Sequence, residues 1–302
     1  MSSLREVKDR IDSVRSTLKI TSAMKLVASS KLRKAQRVIE SMRPYQQELE
    51  RILSAVLLQG TDCIRQPEMQ SEAPAGGSLS PEDQAARPKI ILAFSSNSSM
   101  CGAFNANVIK KTLETFNILI SKGLEVQVWG FGRKVTDALR SNGTPAARDY
   151  SSLVSHPDFA QVAAIASELR SMRADGSISD AILVYNHFVS TGRQQVTVES
   201  FFETGLREQS SDVAGDYTDY IVEPSREELL AKLLPQVSDL KLYTTLLDSA
   251  ASEHAARMVA MQAATDNGQE LLSELTLEYN KGRQQKITSE ILDLVGGAAQ
   301  QI

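Results

Sequence analysis

From Val7 onward an apolar or small side chain returns every seven residues without a break: Val14, Thr21, Ala28, Ala35, Met42, Leu49 and Val56. A straight α-helix drifts against a seven-residue repeat, so such a stripe stays aligned only when the helix winds around another. The spacing therefore predicts one long coiled-coil helix over 1–59. A companion series, Leu4, Ile11 and Leu18 and then Met24, Val38, Tyr45 and Ile52 on a shifted offset, is expected to complete its seam. Ser3 with Glu6 forms a capping-box pattern at the start, and Pro44, which lacks an amide proton, predicts a bend. Residues 3 to 58 as helix extend roughly 80 Å, so a rod is expected to protrude.

The C-terminal segment, 225–302, mirrors the first. Ser225 with Glu228 repeats the capping pattern, and helical sequence continues past Pro235. Its seam alternates four- and three-residue steps through Leu247, Ala251, His254, Met258, Met261, Thr265, Gly268, Leu272, Leu275 and Tyr279. Two seamed helices in one chain are expected to wrap around each other. The second is longer by about 20 residues, or roughly 30 Å of helix. That excess carries an apolar stripe, Ile287, Ile291, Leu294, Val295, Ala298 and Ile302, which needs another chain to cover it.

Between the arms the composition changes. Of the aromatic residues (one Trp, seven Tyr, eight Phe) only Tyr45, Tyr243 and Tyr279 lie in the arms, and no glycine precedes Gly60. Residues 60–88 hold Pro67, Pro74, Pro81 and Pro88 among Gly, Ser, Gln and Glu, and read as a flexible linker or insertion. Over 89–224 strand and helix patterns alternate. Strands are expected at 89–94, 124–132, 180–190 and 194–202. Helices are expected at 105–121, 133–141 and 157–173, the last opened by His156 and Pro157. The fold class is α/β: a small doubly wound, Rossmann-like domain beside a long antiparallel coiled coil.

Catalytic and ligand motifs are scarce. The chain has no Gly-Lys pair and hence no phosphate loop, and Gly130-Phe131-Gly132 has only the first two glycines of a dinucleotide fingerprint, as an ordinary strand-to-helix turn also has. His156, His187 and His254 are scattered without metal-ligand spacing. Cys101, in SSNSSMCGAFN after a strand, reads as a buried turn residue, and two cysteines (Cys63 and Cys101) make no disulfide framework, which fits a reducing compartment. No metal or cofactor is expected. The net charge is −4, but residues 1–40 carry ten basic against four acidic groups, a +6 segment set against −10 elsewhere. Because the basic groups coincide with the heptads, nucleic-acid reading by a basic zipper is disfavoured, and a collar facing an acidic protein surface is the functional alternative to a solvated face. No stretch reaches the length of a membrane span, and the N-terminus is too polar for a secretory signal.

Several stretches carry a family resemblance. RIDSVRSTLKITSAMKLVASSKLRKAQ (10–36), ASEHAARMVAMQAATDN (251–267) and YNKGRQQKITSEILDLVGGAA (279–299) resemble the terminal helices of the gamma subunit of F-type ATP synthases. LVYNHFVS (183–190) and YIVEPSREELLAKLLPQ (220–236) are similar to it as well. The resemblance implies a non-catalytic central rotor shaft inside the ring of alpha and beta subunits, with epsilon and the membrane c-ring at its base and no nucleic acid. Proton flow through the ring is then coupled to ATP synthesis on beta. It implies that Met24 and Lys25 form a coupling patch, that Arg257, Gln284, Thr288 and Glu290 contact the catalytic ring, and that Ile287, Ile291, Leu294, Val295 and Ile302 form the shaft tip. Departures are Leu26 in place of the usual Met, SSNSSMCGAFN in place of SDRGLCGGFN, and a longer 60–88 connection. With no transit peptide, a bacterial protein peripheral to the cytoplasmic face of the inner membrane is expected. The competing reading is a nucleotide-binding α/β enzyme with coiled-coil dimerisation arms.

Overall fold

The computed structural model describes residues 4–58, 87–203, 222–223 and 225–299. The expected linker at 60–88 and the capping Ser3 therefore lie outside the described residues, apart from Arg87 and Pro88. Among the described residues eleven elements follow in order: α1 (Leu4–Leu58), β1 (Lys89–Phe94), α2 (Phe104–Ser121), β2 (Val126–Phe131), α3 (Arg133–Ser141), β3 (Arg148–Asp149), α4 (Ser151–Ser155), α5 (Phe159–Ala174), β4 (Asp180–Ser190), β5 (Arg193–Ser200) and α6 (Arg226–Ala299). The chain divides into two compact units, one of Met1–Ser30 with Arg257–Ile302 and one of Lys31–Ala256.

In the larger unit the five strands run in the order β3-β2-β1-β4-β5. β1 pairs in parallel with β2 and β4, β2 in parallel with β3, and β4 forms an antiparallel hairpin with β5. KIILAF sits at the centre because a parallel strand covered on both faces needs an unbroken apolar run. Its alternate residues separate: Ile90, Leu92 and Phe94 pack with Trp129, Phe131 and Leu183 against Val162, Ile165 and Leu169 of α5. Ile91 and Ala93 pack with Val128 and Val184 against Val108, Phe116 and Leu119 of α2 and Val135 and Leu139 of α3. β5, a mixture of exposed and half-buried residues with none buried, forms an edge.

The domain departs from the sequence expectation in three places. β3 and α4 were not foreseen; RD and SSLVS are too short to show a period. His156 and Pro157 do not open α5, because Asp158 is its N-cap and accepts a 3.2 Å hydrogen bond from the Ala160 amide. Strand bounds also shift, from 124–132 to 126–131 and from 194–202 to 193–200.

Both long helices pass their prolines, Pro44 and Pro235, as single elements. The Ser225 hydroxyl accepts the Glu228 amide at 3.2 Å, while the Glu228 carboxylate turns to Lys232 instead of closing the capping box. Within the larger unit, Leu49 and Leu53 of α1 bury against Val237 and Leu240 of α6. The companion series of α1 needs correction. Met24, Val38 and Ile52 are half-buried, but Tyr45 is 56% exposed, and the deepest burial falls on Leu32, 4% exposed, and Leu53, fully buried. The companion set keeps the offset of Ile11 and Leu18 all along α1, because a shifted offset rotates the stripe away from the partner helix.

Candidate functional site

The smaller unit is a helix pair whose register can be followed rung by rung. Leu4 meets Gly282; Val7, Ile11 and Val14 cluster with Tyr279, Leu275 and Leu272; Leu18 meets Gly268. One set of numbers rises as the other falls, so the helices are antiparallel. At Gly268 an added Cβ would lie 2.8 Å from a Leu18 methyl, so the two helices approach closely at this rung. Past Leu18 the seam becomes polar: the hydroxyls of Thr21 and Thr265 are 3.1 Å apart, Lys25 Nζ donates to Gln262 Oε1 at 2.7 Å, and Gln262 Nε2 donates to Asp266 Oδ1 at 2.7 Å.

The residues singled out from the sequence fall on two stretches of this unit. Met24 and Lys25 are half-buried on the polar stretch, and the Lys25 ammonium is engaged by Gln262 across the seam. Arg257 is buried and has partners of its own, which sets it apart from the exposed positions. Gln284, Thr288 and Glu290 are exposed on the far stretch; Thr288 Oγ1 donates to the Gln284 carbonyl at 2.9 Å, and Glu290 pairs with Lys286 at 3.8 Å. Gln262 and Gln284 are 22 residues apart, about 33 Å of helix, so the two stretches are separate surfaces. The seam ends at Gly282, opposite the first turn of α1, and residues 283–292 are all exposed. Ile287 and Ile291 thus lie bare, joined by Leu292 at 64% exposure. The side chains of Leu294 and Val295, and all of Ile302, lie outside the described residues.

Sequence reasoning missed a second apolar surface. Ile20, Leu26 and Val27 are 56–67% exposed around Met24. Ile20, Met24 and Val27 share a helix face at four- and three-residue steps. The signal was present in KITSAMKLVA, which has more apolar residues than one seam uses. Every basic side chain of residues 1–40 except Lys25 is exposed, so the collar is a surface feature of α1.

The turn after β2 offers no phosphate cradle. Asn97 Oδ1 accepts the amide of Arg133, the Ser96 carbonyl that of Lys134, and Ser95 Oγ that of Val135, so the amides opening α3 are used by the chain itself. A Cβ on Gly130 would meet Thr136 Cγ2 at 2.4 Å and one on Gly132 the Ser95 carbonyl oxygen at 2.3 Å, so both glycines serve close packing. Asn97 also donates to the Ser151 carbonyl and to Ser155 Oγ, each at 2.8 Å, so the altered loop binds the domain to itself. Cys101 is buried, with Asn105 Nδ2 at 3.1 Å and the Ser96 hydroxyl at 3.7 Å, neither of them a base. Among the described residues no three His, Cys, Asp or Glu side chains gather into a metal-binding group, and no helix is long and apolar enough to cross a membrane.

A family model described as ATP synthase matches residues 3–300. An ATP synthase gamma chain of Bacteroides fragilis is 44% identical over 306 residues, covering 99% of each chain. The chain belongs to the ATP synthase gamma chain family. A gamma chain of Flavobacterium johnsoniae is 39% identical over 99% of this chain and 98% of its own. Among solved structures, a chain of the Euglena gracilis mitochondrial ATP synthase (OSCP/F1/c-ring) aligns with a TM-score of 0.62 at 18% identity, over 98% of this chain and 93% of that one. A chain of the Tetrahymena thermophila central stalk and c-ring aligns at 0.53 and 22% identity, over 81% and 99%. At these identities the likeness concerns the fold, and it covers the long helices together with the sheet. As a member of the gamma chain family, the chain is a subunit of an ATP synthase complex.

Proposed function

We propose that this chain is the non-catalytic rotor shaft of a bacterial proton-translocating F-type ATP synthase, peripheral to the cytoplasmic face of the inner membrane. The observation that carries the reading is the end of the seam at Gly282, beyond which α6 continues through exposed Ile287, Ile291 and Leu292 with no partner helix among the described residues. A bare apolar helix end needs a sleeve, and the ring of alpha and beta subunits supplies it. Ile287, Ile291, Leu294, Val295 and Ile302 form the tip, while Gln284 just before it and Thr288 and Glu290 interleaved with it make polar contacts. Met24, with Ile20, Leu26 and Val27, forms the coupling patch. Lys25 and the exposed basic collar face acidic loops of beta, where complementary charge guides register, and Arg257 braces the helix from inside. The α/β domain meets epsilon and the c-ring; the assemblies that contain the structural relatives include a c-ring, which supports that reading.

Removing residues 283–302 tests this. In a complex relying on this chain, the deletion is expected to reduce co-purification of alpha and beta or to lower ATP synthesis severalfold; full assembly with full synthesis contradicts the reading. The nucleotide-enzyme alternative has no structural support in the turn after β2, and calorimetry with ATP and NAD(P) is expected to show no tight stoichiometric binding.

A further inference from the structure

A shaft transmits torque only if it cannot roll in its seat, and apolar packing, being non-directional, resists rolling poorly. In the larger unit α6 is seated on the sheet by Leu242 and Leu246, both essentially buried in the core that contains Leu183 and Tyr185. Directional bonds surround that seat. The Asp248 carboxylate accepts the Phe188 amide at 2.9 Å through one oxygen and lies 2.6 Å from His187 Nδ1 through the other. Lys241 Nζ donates to the carbonyls of Ser200 and Glu203 at 2.6 and 2.7 Å. Lys241 and Asp248 are two turns apart on one face of α6, and they grip opposite ends of the β4–β5 hairpin. From α5, Arg170 Nη1 reaches Asp239 at 2.5 Å and the Pro235 carbonyl at 3.2 Å.

We infer that Asp248, Lys241 and Arg170 are positioning residues that fix the rotational phase of α6 against the α/β domain, forming the joint through which torque passes. This rests on the rotor reading and adds its point of attachment. Bonds to charged groups are the strong directional ones, and a joint that uses three of them on separate partners holds one angle rather than a range. Asp248 is the key member because two adjacent residues of β4 hold both its oxygens.

The test uses the assembled membrane complex, with ATP hydrolysis and ATP-driven proton pumping measured on the same vesicles. The parent chain must first restore pumping to a complex lacking its own corresponding subunit; failure there removes the rotor reading itself. With pumping restored, Asp248→Ala combined with Lys241→Met is expected to keep most hydrolysis while pumping per ATP falls by roughly tenfold, the loss expected when a charge-assisted hydrogen bond no longer favours one orientation. Asp248→Glu is expected to recover part of the pumping. Unchanged pumping per ATP in the assembled double variant overturns the inference, as does a parallel fall of both activities with no recovery in Asp248→Glu. Should the double variant fail to assemble, His187→Ala removes only an exposed arm; about twofold lower pumping per ATP supports the joint, and an unchanged ratio overturns it.

Discussion

Single residues show where this chain has little room for change. Gly132 has φ of 106°, and its missing Cβ leaves space for the Ser95 backbone carbonyl, which cannot move aside as a side-chain tip can. Gly132→Ala is expected to destabilise the protein by about 2–3 kcal/mol in urea titration. A second prediction concerns Tyr185, whose phenol is pushed well above its ordinary value of 10 by burial first, and then by the charges of Glu199 and Asp248. The folded state therefore keeps the proton after the unfolded state loses it. Tyr185 thus contributes stability that is whole below pH 10 and declines as pH rises through and beyond it. Tyr185→Phe is expected to flatten the alkaline decline of the unfolding free energy; an unchanged slope counts against the assignment. Neither residue was legible beforehand. Gly132 looked like half a dinucleotide motif, and Tyr185 like any strand aromatic, because both depend on neighbours distant in sequence.

At the scale of elements, much could be read from period alone. The C-terminal seam from Met261 to Tyr279 follows its 4,3 spacing with half-buried or buried residues at each step, and α3 and β4 have the expected bounds. β3 and α4 were not legible because elements of two and five residues complete no period. The drift of the α1 companion series was misread because Tyr45, an apolar-looking residue, stood where a shifted seam would place it, while Leu32 and Leu53 carry the burial. The seam also makes a prediction. Only the flexible end of Leu18 approaches the missing Cβ of Gly268. Gly268→Ala is therefore expected to be neutral or stabilising, up to the ~1 kcal/mol gain in helix propensity. Gly268→Leu overfills the rung and is expected to cost about 1–3 kcal/mol. Thermal unfolding of the two variants checks the contrast, and equal effects would argue against close approach at this rung.

For the molecule as a whole, the sequence pattern pointed to an α/β domain carrying a coiled coil with one helix too long, and the structure supplies the reason the excess matters. The seam closes at Gly282, ten exposed residues follow, and an earlier stretch of α6 is bonded to α5 by Asp239 and to the β4–β5 hairpin by Lys241 and Asp248. A helix gripped by a folded domain along one stretch and bare along another is suited to carrying motion from one partner to another. The residues of that joint were not foreseen, since nothing in the local sequence of α6 distinguishes Asp248 from a solvated carboxylate until β4 is placed beside it. The central claim is that this chain turns within a ring of catalytic subunits. It is tested most directly by attaching a visible probe to the α/β domain of the assembled, surface-fixed catalytic complex and supplying ATP. Sustained stepwise rotation in one direction, at a rate that tracks ATP hydrolysis, is the expected result; hydrolysis at full rate with a stationary probe would contradict the account.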